Sequence, residues 1–217
     1  GHNDGWGVTI FKNSGDFYFR SPLPVEENID KFLNDNEKEF ENDSHAIAHL
    51  RKATSGKVCL ENTHPFFHEG LYFEHNGSIH AFNHTKFTDD REGRVGGTDS
   101  ETFFLRVVDR VKEKGSINEA SLDVIKNALQ EEIEEIKKVS TWTSLTCFIA
   151  SKEGIVLNYL WNEENPDSQK MELDKYYTFY VGDGQNATIL CSEILDLKNY
   201  TWKKLPNSSL LVFPKNL

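Results

Sequence analysis

The chain has 217 residues and a formal net charge of -11, enough length for one substantial core and the wrong sign for nucleic acid or anionic membrane surfaces. No apolar run approaches the roughly 20 residues of a membrane-spanning helix, and the opening residues lack the charged-then-apolar pattern of a signal peptide. Three cysteines, Cys59, Cys147 and Cys191, are odd in number and widely spaced, which fits a reducing, cytoplasmic setting better than a disulfide framework.

Residues 8–11 and 17–19 are short apolar or aromatic runs separated by Asn13, Ser14 and Gly15, a hairpin pattern. Residues 46–51 and 71–75 read as further strands. Between 98 and 139 the period becomes helical: Phe103, Phe104, Val107, Val108 and Val111, a break at Gly115, then Ile117, Val124, Ile125, Ala128, Leu129, Ile133 and Ile136. Thr98 with Glu101, and Ser116 with Glu119, each match a capping box, so two helix starts are predicted there. The strand pattern returns at 145–150, 155–161, 176–181, 188–191 and 210–213. Two antiparallel sheets with helices packed outside them fit this order, an α+β class. Scattered prolines and the lack of a Gly/Ser-rich stretch or repeat leave no linker, so residues 1–217 are expected to form a single domain.

Several polar residues stand where chemistry needs them. Arg51 closes an apolar run and precedes the small, turn-prone Ala53-Thr54-Ser55-Gly56, so its guanidinium can reach a cleft and grip a carboxylate; the plainer reading is an arginine paired with surface acid. Asn76-Gly77 is by local rules a tight turn, yet a side-chain amide beside an unshielded backbone N–H is also the equipment of an oxyanion hole. Asp99 falls in the first turn of a predicted helix, where the helix dipole favours an acid in any protein. Asn62-Thr63-His64-Pro65-Phe66 reads as scaffold, with a structural hydrogen bond expected of His64. Cys147 and Cys191 lie in apolar strands and read as core. The pairs His64/His68 and His80/His84 have the i, i+4 spacing that holds a metal on a helix. Pro65 and β-like surroundings spoil the first, and no helical stripe supports the second. No metal and no other cofactor is expected.

Taken in order, His2-Asn3-Asp4-Gly5-Trp6-Gly7, His49-Leu50-Arg51-Lys52-Ala53-Thr54-Ser55-Gly56, Asn62-Thr63-His64-Pro65-Phe66, His75-Asn76-Gly77 and Gly97-Thr98-Asp99-Ser100-Glu101 resemble the class II glutamine amidotransferase family. The small single-domain members are most similar. The resemblance is dense before the helices, weak through them, and returns faintly at 192–195, Trp202 and 205–212. It implies a four-layer αββα sandwich of the N-terminal nucleophile hydrolase type. It also implies that Arg51 holds the α-carboxylate of glutamine, Asp99 the α-amine, and Asn76 with Gly77 the oxyanion, while Thr54 and Ser55 line the pocket. Ser55 departs from the histidine that some larger relatives carry there.

The same resemblance implies acyl transfer by an N-terminal cysteine whose own α-amine moves the proton. No residue of this sequence can be that cysteine, since residue 1 is Gly1 and Cys59 has no α-amine beside it. Two expectations follow: the nucleophile and the opening strand of the domain lie upstream, or the domain is an inactive glutamine-like-ligand-binding or interaction module. The substrate implied is glutamine or a γ-glutamyl compound, with ammonia released or passed to a separate synthase subunit. A homo-oligomer is left open.

Overall fold

The computed structural model describes residues 2–40, 45–81, 87, 91–165 and 176–215. β1 (Trp6–Phe11) is buried along its whole length, and its alternating side chains meet two different partners. Trp6, Val8 and Ile10 face α1 (Val25–Asp35), where Phe32 packs among them with Phe17 and Phe19. Phe11 faces the other way, into a layer shared with Ile47, Tyr72, Ala150 and Ile155. The flanking strands, β2 (Phe17–Ser21) and β3 (His45–Leu50), pair antiparallel with β1, so Val8 stands opposite both Phe19 and Ala48.

Beneath this three-stranded sheet lies a five-stranded antiparallel one. Its order is β13 (Ser209–Pro214), β9 (Gly154–Tyr159), β8 (Thr146–Ser151), β5 (Leu71–Asn76) and β4 (Phe66–His68). Tyr72, Ala150 and Ile155 look up to the first sheet, whereas Phe73, Ile149 and Val156 look down onto α2 (Asp99–Lys114) and α3 (Leu122–Val139). Helix, sheet, sheet, helices: the chain is an αββα sandwich. Phe73 stacks on Phe104 at 5.1 Å and meets Phe103 edge-on at 5.3 Å. Each fully buried aromatic of this kind contributes about 2–3 kcal/mol by area alone.

A second three-stranded sheet, β11 (Thr188–Cys191), β10 (Tyr180–Asp183) and β12 (Thr201–Lys204), covers Leu157 and Tyr159 on the upper face of the five-stranded sheet. Phe148 and Phe213 touch both upper sheets. The upper layer is therefore two sheets side by side among the described residues, not the one read from the sequence.

Local chemistry explains where other elements start. Thr98 Oγ1 accepts the Glu101 backbone N–H at 3.2 Å, but the Glu101 carboxylate reaches back to the Val95 and Gly96 amides (both 2.8 Å) and ties down the preceding loop. The second predicted start is displaced. Ser116 opens only a 3-10 turn (Ile117–Glu119) without a side-chain cap, and α3 begins after Ser121, whose hydroxyl accepts from the Val124 N–H. Short β6 (Ile79–Ala81) and β7 (Ser140–Trp142) pair with each other. The strand expected at 176–181 starts only at Tyr180. Asp4 and Trp6 act locally: Asp4 Oδ2 accepts the Ala53 N–H at 2.8 Å, and the Trp6 indole donates to Asn28 at 2.8 Å.

Candidate active site

Asn76 and Gly77 do not reverse the chain. β5 pairs with β8 as far as Asn76 opposite Thr146, and β6 with β7 resumes the ladder at Ile79 opposite Trp142, so residues 77–78 interrupt one long strand pair. The partner strand overrides the local Asn-Gly turn preference. A Cβ at Gly77 would lie 2.0 Å from the Ser144 carbonyl oxygen, so this close approach needs glycine. The Ser78 N–H donates to Thr143 Oγ1 at 2.9 Å, and the Thr143 N–H returns a bond to Ser78 O at 3.0 Å.

The first turn of α2 holds the same interruption from the other side. Asp99 Oδ2 accepts the Ile79 N–H at 2.7 Å. The His75 ring spans Ser100 Oγ (2.9 Å, at Nδ1) and Ser144 O (3.0 Å, at Nε2). Burial pulls His75 below its ordinary pKa, against the Asp99 charge and the Ser144 carbonyl, so the ring is neutral. A carbonyl only accepts, which puts the proton on Nε2 and leaves Nδ1 to accept from the Ser100 hydroxyl.

Arg51 follows β3 and is only 3% exposed. Its Nη1 donates to Asp4 O and Lys57 O (both 3.3 Å), and its Nη2 to Ser55 O (3.0 Å). Backbone carbonyls thus fix the fork while consuming three of its five N–H groups, and among the described residues nothing takes the other two. No carboxylate forms a salt bridge with it among the described residues, although the nearby Asp4 charge favours its ionised form.

Arg51, Thr54, Ser55, Asn76, Gly77 and Asp99 all line one cavity of about 120 Å³. Thr54 Oγ1 lies 3.2 Å from Ser78 Oγ across it. His2, His49, Lys52, His64, His75, Thr143, Tyr176 and Tyr177 are also among the residues that line it. The hydrogen bond expected of His64 is not there: neither ring nitrogen has a partner among the described residues, and the ring packs against His49 at 4.3 Å and Phe66 at 4.6 Å. Burial pushes His49 down to about 3 and His64 well below its ordinary value. A fixed cation, a carboxylate and the neutral imidazoles of His49, His64 and His75 around a small polar cavity suit a small zwitterion.

Cysteines lie elsewhere. Cys147 belongs to the core, and burial pushes its thiol up. Cys191 is half-buried on β11, with its thiol on the Glu193 carbonyl, so it is not the core residue expected. Cys59 is half-buried and points at Lys57 O. His68 sits beside Lys112 Nζ at 3.1 Å, and His84 falls outside the described residues.

Residues 1–153 match the family described as class-II glutamine amidotransferases. The chain belongs to this family. A Haemophilus influenzae protein named as a candidate glutamine amidotransferase is 26% identical over 231 residues, which span 98% of this chain and 74% of that protein. Escherichia coli YafJ, named likewise, is 32% identical over 118 residues, 52% of this chain and 44% of YafJ. Among solved structures, a predicted glutamine amidotransferase of Pseudomonas aeruginosa superimposes with a TM-score of 0.62 at 19% identity, covering 99% of this chain and 86% of that one. At that identity the likeness speaks for the fold.

For a class II glutamine amidotransferase, the residues missed from sequence are instructive. Thr143, Tyr176 and Tyr177 come from segments with no motif, and only the tertiary fold brings them to the cavity. His49 was in view beside Arg51, but its inward direction follows from strand parity: it shares a face of β3 with buried Ile47.

Proposed function

We propose that the protein cleaves the side-chain amide of glutamine, or of a γ-glutamyl compound, by acyl transfer to a cysteine thiol. Arg51 takes the α-carboxylate through its two remaining N–H groups, and Asp99 takes the α-ammonium. The Asn76 amide and the Gly77 N–H receive the oxyanion. The thiolate adds to the amide carbon, and the tetrahedral intermediate collapses as the C–N bond breaks. The departing nitrogen takes a proton from the nucleophile's own α-ammonium, leaving a thioester and ammonia; water then releases glutamate and regenerates the thiol. The observation that carries this reading is the convergence of Arg51, Asp99, Asn76 and Gly77 on one cavity in a chain of this family.

None of the three cysteines lines the cavity, so the reading assigns the nucleophile to an N-terminal cysteine carried by a segment outside this sequence. Two observations support an additional strand at the upper sheet. β3 pairs only with β1 among the described strands, and Ala46, Ala48 and Leu50 on it are exposed. An open edge of that kind invites pairing. Residues 1–217 and this strand would then form one amidotransferase domain. Ammonia is released or passes to a separate synthase subunit while water takes the acyl group, and the three free cysteines agree with a cytoplasmic protein.

Intact mass, N-terminal sequencing and a glutaminase assay on the protein from its natural source test this reading together. A chain that starts with cysteine and releases ammonia from L-glutamine supports it. A chain without that cysteine, stabilised by glutamine but releasing no ammonia, would instead be a binding module.

A further inference from the structure

Asn62 ends the 3-10 turn Leu60–Asn62, is 4% exposed, and belongs to neither the clamp nor the oxyanion pair. Its Nδ2 donates to Lys57 O at 3.0 Å, and the same carbonyl accepts from Arg51 Nη1 at 3.3 Å. Its Oδ1 accepts the Gly97 N–H at 2.8 Å, immediately before Thr98 caps α2 and Asp99 enters the cavity. One buried amide therefore joins the loop that fixes Arg51 to the loop that delivers Asp99.

We infer that Asn62 is a positioning residue that sets the separation of Arg51 and Asp99, and so makes the cavity select molecules carrying both charged groups of an α-amino acid. The inference rests on the reading above, in which those two residues hold the carboxylate and the ammonium.

The packing leaves the amide no freedom. A Cβ at Gly56 would lie 2.8 Å from Asn62 Nδ2, and one at Gly96 would lie 2.4 Å from Asn62 Oδ1, so two glycine backbones clasp it from opposite loops. The link needs one donor and one acceptor on a short planar group, which asparagine supplies and aspartate does not. Glu101 holds the same loop at Val95 and Gly96, so without Asn62 the Asp99 side stays attached to α2 while the Arg51 side loses its tether. The expected damage is to the distance between the two groups. A ligand that touches only one of them would be nearly indifferent to it, and a ligand that touches both would not.

The test compares the full-length wild type with Asn62→Ala and Asn62→Asp on three amides: L-glutamine, glutaramic acid, which lacks the amine, and 4-aminobutanamide, which lacks the carboxylate. For Asn62→Ala, kcat/KM on glutamine should fall roughly 30-fold, mostly through KM, while the two one-ended amides change by less than about threefold. Asn62→Asp keeps the Gly97 bond and should lie between wild type and Asn62→Ala, with melting temperatures recorded for all three proteins. If Asn62→Ala does not fold, the same contrast is read from Asn62→Asp. Equal losses on all three amides, or no loss on glutamine, would overturn the role of Asn62 while leaving the glutaminase reading intact. A wild type inactive on every γ-glutamyl amide tried would overturn that reading and this inference with it.

Discussion

On the lower face of the five-stranded sheet, Phe73 packs between Phe103 and Phe104, and Ile149 and Val156 continue the same apolar layer onto α3. On the upper face, toward β1 and β3, Thr9 Oγ1, Glu74 Oε1, His49 Nδ1 and both His64 nitrogens are buried with no hydrogen-bond partner among the described residues. A buried polar atom without a partner costs about 1–3 kcal/mol, and native proteins hold few of them. The two faces of one sheet thus serve different ends. The helical face supplies most of the apolar packing and, at the first turn of α2, gives Asp99 and Ser100 to the cavity, while the polar face gives up some stability beside it.

Substitutions on each face should separate these contributions. The largest effect is expected on the helical face: Phe104→Ala should lower the unfolding free energy by about 3–5 kcal/mol, read by denaturant titration, while the folded fraction keeps its KM for glutamine. Next, Arg51→Lys should lower kcat/KM on glutamine about 100-fold, near 2.7 kcal/mol, because an ammonium cannot reproduce a fork held by three carbonyls. If Phe104→Ala changed KM or Arg51→Lys left it untouched, the division between the faces would fail.

The polar face should also show in the pH dependence of stability. The folded pKa values of His49 and His64 are depressed below 6.5, so their neutral forms are favoured by folding, and the unfolded chain binds the extra protons. Stability is present above that value and is lost as the pH falls below it, by about 1.4 kcal/mol for His49 alone at pH 5.5. A His49→Phe variant should flatten this part of the profile. Glu74 has the opposite sign: burial raises its pKa well above 4.5, so stability is full below 4.5 and falls as the pH rises toward the folded value. Glu74→Gln should remove that loss. Because the new amide also lacks partners, the net gain at neutral pH should be within about 1 kcal/mol, measured as the difference between the two thermal profiles.

Much of the lower face was legible in the sequence, because Phe103, Val107, Val111, Ile125, Leu129 and Ile136 repeat with the helical period that burial on a sheet requires. The hairpin of β1 and β2 was equally plain. By contrast, α1 was hidden: it starts after Pro24, carries Glu26, Glu27, Asp30 and Lys31, and buries only Phe32. β4, β6 and β7 span three residues each, too few to show alternation. The start of α3 was misread because Ser116-x-x-Glu119 has the right spacing, while Ser121 caps with no acid three residues on. At the cavity, Arg51, Thr54, Asn76, Gly77 and Asp99 could be singled out only because their polar clusters together resemble the family's motifs; taken alone, each cluster is weak. Tyr177 and Thr143 were not, since their place depends on long-range packing alone.

We propose that this cavity reads the charged head of an amino acid while its amide is cleaved. The most direct measurement is ammonia release from L-glutamine by the full-length protein, run beside Arg51→Lys at equal folded concentration. Saturable release by the wild type and a roughly 100-fold lower kcat/KM in the variant is the predicted result. Equal rates in the two proteins, or no release from either, would contradict the account.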